Sequence, residues 1–67
     1  MTEYVVWGFN GSYQRTPIKL TGGNLQRCRR ETHYWARDGW TCATYLVGTA
    51  PEGLRDQARA TLKAEAA

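Results

Sequence analysis

Four turn signals cut this chain into five short segments, and they leave few folds open. Asn10-Gly11 is the strongest, a hairpin dipeptide in which both residues accept positive φ. Gly22-Gly23, Asp38-Gly39 and Gly48 supply the other breaks. Glu3–Phe9 is β-branched and aromatic and too short for a helix, so it reads as a strand. Ser12 and Tyr13 lengthen the turn or begin the return strand. Arg15–Leu20 alternates, with Thr16, Ile18 and Leu20 on one side and Pro17 and Lys19 on the other. Pro17 has no N–H for a ladder, which makes this an edge strand. Asn24 is placed to cap a helix over 25–37. Leu25, Cys28, Thr32, Trp35 and Ala36 fall within about 100° of arc at 3.6 residues per turn. Gly39 suits the C′ position that ends it. Trp40–Val47 reads as a third strand. Thr49-Ala50-Pro51-Glu52 has the form of a capping box. It opens a second helix from about Pro51 to Ala64, whose inner face (Leu54, Ala58, Thr61, Leu62) is thin. Glu52–Arg55 and Asp56–Arg59 stand at i,i+3 spacing, and residues 64–67 are expected to fray.

The order is β-β-α-β-α, an α+β chain. A right-handed crossover from the second strand through the helix sets the third strand beside the first. The expected sheet has three antiparallel strands in the order 2-1-3, with both helices on one face as a two-layer sandwich. With 67 residues, 1–67 is a single domain. In so small a chain the gain from burial and the cost of ordering roughly cancel. That leaves little to support a deep pocket and argues against a stand-alone enzyme.

Hydrophobic residues make up 42% of the chain, and no apolar run approaches the ~20 residues of a membrane span. The opening Met-Thr-Glu-Tyr-Val-Val-Trp lacks the basic start of a secretory signal. Two cysteines and one histidine are too few for a disulfide scaffold or a closed zinc site. Free thiols in a reducing cytosol are expected, with a Cys28–Cys42 bridge as the lesser alternative. No cofactor, metal or small-molecule substrate is expected.

The charge is focused. Within 25–37, Arg27, Arg29, Arg30 and Arg37 face only Glu31, which gives +3, the whole formal net charge of the chain. Five bases elsewhere (Arg15, Lys19, Arg55, Arg59, Lys63) match five acids (Glu3, Asp38, Glu52, Asp56, Glu65). Focused positive charge points to an acidic or phosphate-bearing partner.

Two surfaces are candidates for function. On the first helix, Gln26, Arg30, His33 and Arg37 line up at i, i+4, i+7 and i+11, flanked by Arg27 and Tyr34. Such a stripe suits a phosphate backbone, with the arginines on oxygens and Tyr34 or His33 against a base. It suits an acidic protein surface equally. The plainer reading is a solvated face, with Arg27 pairing Glu31 and the stem of Arg29 covering apolar surface. The second surface is the sheet side turned from the helices, for which Tyr4, Val6, Tyr45 and Val47 are the interface candidates. Both sides of the first and third strands are apolar, so one side would stand bare and invite a protein partner or a second copy. The plainer reading there is that the aromatics fill the core. Gly22-Gly23 before a helix start is a weak anion site. Cys28 points inward by phase and His33 outward, which rejects a cysteine–histidine nucleophile pair. The carboxylates are scattered, and no catalytic residue is assigned.

The stretch from Gly22 through Glu31 (Gly-Gly-Asn-Leu-Gln-Arg-Cys-Arg-Arg-Glu) and that from Trp40 to Gly48 (Trp-Thr-Cys-Ala-Thr-Tyr-Leu-Val-Gly) resemble small orphan proteins of actinobacterial bacteriophages. Seven arginines against two lysines suit a high-GC coding source. The likeness spans about residues 3–62 and brings no activity or functional residue with it. It implies a bacteriophage protein of the host cytoplasm that binds a host or phage macromolecule. The expectation is therefore a small non-enzymatic binding module. It would work first through protein–protein interaction, including a homodimer, by the apolar sheet face or the basic helix. The alternative is nucleic-acid binding through the basic face of 25–37.

Overall fold

The computed structural model describes residues 3–11 and 14–66. The elements are β1 (Tyr4–Asn10), β2 (Gln14–Gly23), α1 (Leu25–Arg37), β3 (Thr41–Leu46) and α2 (Glu52–Ala66). The sheet order is β2-β1-β3 with both pairings antiparallel, the expected α+β arrangement. β1 is the most apolar strand and lies in the centre, where it is paired on both edges. The expected lengthening of the turn by Ser12 and Tyr13 lies outside the described residues. β2 is longer than expected, because Gly22 and Gly23 extend the strand by pairing with Val5 and Tyr4. A register shift opposite Val6–Trp7 leaves Leu20 as the extra residue, and β2 bulges there.

The helices do not share a face, which corrects the two-layer expectation. In β1, Tyr4, Val6 and Gly8 point to one side and Val5, Trp7 and Phe9 to the other. Their β3 partners continue these faces: Leu46, Thr44 and Cys42 on the first, Tyr45, Ala43 and Thr41 on the second. α1 covers the first face. Trp35 Nε1 donates to Thr21 Oγ1 at 3.3 Å, and Cys42 Sγ donates to the Thr32 carbonyl at 3.4 Å. α2 covers the second face, where Leu54 and Ala58 pack on Phe9, with Trp7, Ala43 and Tyr45 around them. The result is three layers, helix–sheet–helix. The physical reason is that a sheet apolar on both faces needs a cover on each, and α1 already occupies one of them.

Close packing shows at Gly8. A Cβ there would lie 2.6 Å from Leu20 Cδ1, 3.0 Å from Cys42 Cβ and 3.2 Å from the Thr41 carbonyl oxygen. The Thr49–Glu52 capping box does not form. α2 starts at Glu52, so its N-cap position falls at Pro51, whose carbonyl accepts from Arg55 N–H at 3.0 Å. Thr49 sits too far upstream, where its own N–H turns back to the Leu46 carbonyl at 3.0 Å. Pro51, Leu54 and Ala58 are the buried positions on this side, whereas Thr61 is exposed and donates its hydroxyl to the Gln57 carbonyl. Of the two expected pairs along α2, Asp56–Arg59 is present at 3.8 Å. Glu52–Arg55 is not an ion pair among the described residues. Arg15–Glu65 at 3.3 Å ties β2 to the far end of α2. The accessible surface of 4822 Å² exceeds the ~4,300 Å² typical of this mass, as expected for a body of 44 × 23 × 13 Å.

Candidate functional site

The site is built on α1, and both ends of the helix are fixed by local chemistry. Asn24 is extended, and its Oδ1 accepts from Arg27 N–H at 2.8 Å. At the other end, Asp38 N–H donates to Trp35 O and Gly39 N–H to Ala36 O, with Gly39 at φ +89°. This is the left-handed ending that a glycine allows. Arg37 stands in the last turn, where positive charge favours the negative end of the helix dipole. The inner side is anchored by Cys28, which is fully buried, and by Trp35, whose ring meets Trp40 edge-on with centroids 5.5 Å apart.

With that side fixed, the outer face follows from the helical period. Gln26, Arg27, Arg30, His33, Tyr34 and Arg37 are all exposed and lie within about 120° of arc. Tyr34 is 56% exposed, a large ring left in solvent. Arg29 is also exposed, at the flank of this arc, and adds charge there. The stem of Arg27 lies over Gly23, whose added Cβ would come within 3.0 Å of Arg27 Cδ. Gly23 thus makes room for that arginine, a contact not visible in the sequence pattern. The i,i+4 pair of Arg27 with Glu31 does not form. Among the described residues no carboxylate stands within 4.0 Å of any guanidinium of α1.

The placement of the helices on opposite faces sorts the charge as well. α1 carries four arginines against Glu31, whereas α2 carries Arg55, Arg59 and Lys63 against Glu52, Asp56 and Glu65. One outer layer is therefore +3 and the other neutral, with the sheet between them.

The second candidate surface is not a surface. Tyr4 and Val6 lie on the α1 side and Tyr45 on the α2 side, so the four residues share no face. Val6 is 0% exposed, Tyr4 and Tyr45 are partly buried, and of the four only Val47 is open, at 57%. The apolar sheet face expected to stand bare is covered on both sides.

Both thiols are free. Burial pushes Cys28 up from the ordinary thiol value; nearby Arg27 lowers it and Glu31 raises it. Burial likewise raises Cys42. Cys28 lies inside and His33 outside, so the two do not meet. Among the described residues no group of three His, Cys, Asp or Glu is arranged to hold a metal ion, and no helix is long and apolar enough to cross a membrane. An open cleft of about 590 Å³ lies where the second face meets the start of α2. Val5, Trp7, Pro51, Lys19 and Arg55 are among its lining residues. Lys19 Nζ sits 5.7 Å from the Trp7 ring centroid. No protein-family model, curated protein or solved structure matches the chain.

Proposed function

We propose that the protein is a non-enzymatic binding module that holds nucleic acid against the outer face of α1. The observation that carries this reading is the set of exposed guanidinium groups of Arg27, Arg30 and Arg37, without a carboxylate partner among the described residues, on one helical face with His33 and Tyr34. Arginine presents a planar donor fork that suits phosphate oxygens. An exposed tyrosine ring beside it offers a stacking surface for an unpaired base. Arg27, Arg30 and Arg37 stand ~4.5 and ~10.5 Å apart along the axis, so they follow a strand over most of the ~20 Å helix. Both helix ends are tied down, so the side chains are presented from a fixed element. The neutral α2 layer faces the other way, which gives the molecule one side on which a polyanion is attracted.

The experiment is fluorescence anisotropy with labelled duplex and single-stranded oligonucleotides at about 50 mM salt. Binding is expected, with Arg30→Glu weakening it about tenfold or more and Arg59→Glu on α2 leaving it unchanged. Tyr34→Ala is expected to cost more on single strands than on duplex. Retention on neither form contradicts the reading. Binding of polyglutamate as strong as that of oligonucleotide, with no effect of Tyr34→Ala, makes the partner an acidic protein surface instead.

A further inference from the structure

The second sheet face keeps an opening where β2 carries no side chains. Val5 stands on that face, and its partner across the ladder is Gly22. A Cβ at Gly22 would meet, beyond its chain neighbours, only the Tyr4 carbonyl oxygen, at 3.7 Å. Gly23 follows it, opposite Tyr4. The open cleft of about 590 Å³ lies here, with Val5, Gly22, Gly23 and Pro51 in its lining.

The charges on this side are sorted toward the same place. Four bases line the clefts along β2 and α2. Arg15 is paired with Glu65 at 3.3 Å and Arg59 with Asp56 at 3.8 Å. Lys19 and Arg55 have no carboxylate within 4.0 Å among the described residues, and both line this cleft. Lys19 Nζ is held 5.7 Å from the centroid of the Trp7 ring, which in turn packs on the core of Phe9, Leu54 and Ala58. Arg55 stands in the first turn of α2, where the helix dipole is positive. The carboxylate in the lining is Glu3, which is exposed. Four residues along β1 set it ~13 Å from Trp7.

We propose that this cleft binds a small organic anion. Its flat apolar body lies on Val5 and the bare backbone of Gly22 and Gly23, and its carboxylate or phosphate head lies against Lys19 and Arg55. The volume falls within the roughly 300–1,000 Å³ of small-molecule sites. The ligand is an anion because an uncharged one would cover two cations and offer them no counter-charge. The site is across the sheet from α1, so it stands apart from the nucleic-acid reading.

Titration calorimetry on the full chain tests this with three probes: naphthoate, naphthyl phosphate and the uncharged naphthamide. At least one of the two anions is expected to bind at or below about 1 mM, with naphthamide at least about tenfold weaker. The tighter anion identifies the head group. Lys19→Gln and Arg55→Gln are each expected to weaken that anion about tenfold. Gly22 has no positive φ and lies in a strand, so Gly22→Ile suits the backbone and fills the cleft. It is expected to abolish binding while circular dichroism stays native. Arg30→Glu on α1 is expected to change nothing here, whatever it does to oligonucleotide binding. No saturable binding of either anion up to about 5 mM overturns the proposal. So does naphthamide binding as tightly as the anions, an anion affinity unmoved by Lys19→Gln and Arg55→Gln, or undiminished binding by a folded Gly22→Ile.

Discussion

Gly8 and Cys28 hold the α1 side of the sheet together, and each makes a sharp demand on its position. Adding a methyl group at Gly8 moves Leu20 easily, because the tip of that side chain is flexible. The Cys42 Cβ and the Thr41 carbonyl belong to the sheet and cannot yield in the same way. Gly8→Ala is therefore expected to destabilise by about 1–3 kcal/mol, read from urea midpoints. The two thiols carry a pH signature. Their values are raised in the fold, so above the ordinary thiol value of 9.0 the unfolded chain has released more protons than the native one. Their contribution is complete below that value and is lost as pH rises through the folded one. Urea midpoints are expected to fall as pH rises above about 9, and to fall less in Cys28→Ala. Equal slopes for the two proteins contradict this. At this scale phase placed Cys28 and Trp35 inside α1 correctly, whereas Ala36, expected on the same arc, is exposed because it sits at the arc's edge in the last turn. The approach of Gly8 to Cys42 needs the strand pairing and is invisible in a linear pattern.

Among the elements, α1 was the most legible. Its cap, its period and its terminal glycine all agree, and its bounds came out as expected. Asn24→Ala removes the acceptor of Arg27 N–H and is expected to cost about 1 kcal/mol, with helicity lost first from the N-terminal turn. Amide exchange at Arg27 measures this directly, and an unchanged rate would show that the cap does not hold the turn. α2 was legible as a helix and misplaced as a layer. Its inner face is thin, and the capping pattern put the cap at Thr49, two residues upstream of the real N-cap position at Pro51. The signal that places it was in the strands. Val5, Trp7, Phe9, Ala43 and Tyr45 form a second apolar face, and an apolar face of a sheet does not stay open when a helix is within reach. Leu54, 2% exposed, is the centre of that contact. Leu54→Ala is expected to cost about 2–5 kcal/mol, a large part of what so small a domain has. Thermal unfolding by circular dichroism reads this, and a change below about 1 kcal/mol would mean that α2 is not packed on the sheet.

For the whole molecule, the three-layer arrangement decides what the surface offers. Covering both faces of the sheet removes the apolar docking surface that the strand patterns suggested and leaves a cleft and a helix face in its place. The basic stripe itself was readable from spacing alone, because exposure on an amphipathic helix follows from phase. The neutrality of the opposite layer was not, since it depends on which side of the sheet α2 occupies. With the charge on one side, binding of nucleic acid should be dominated by release of counterions from the contacted phosphates.

The most direct measurement is the association constant for a short duplex as salt is raised. If three phosphates are contacted, log K is expected to fall against log salt with a slope of about −2.7, and Arg30→Ala is expected to make that slope shallower by about 0.9. A slope near zero, or one that Arg30→Ala leaves unchanged, would contradict the assignment of the α1 face.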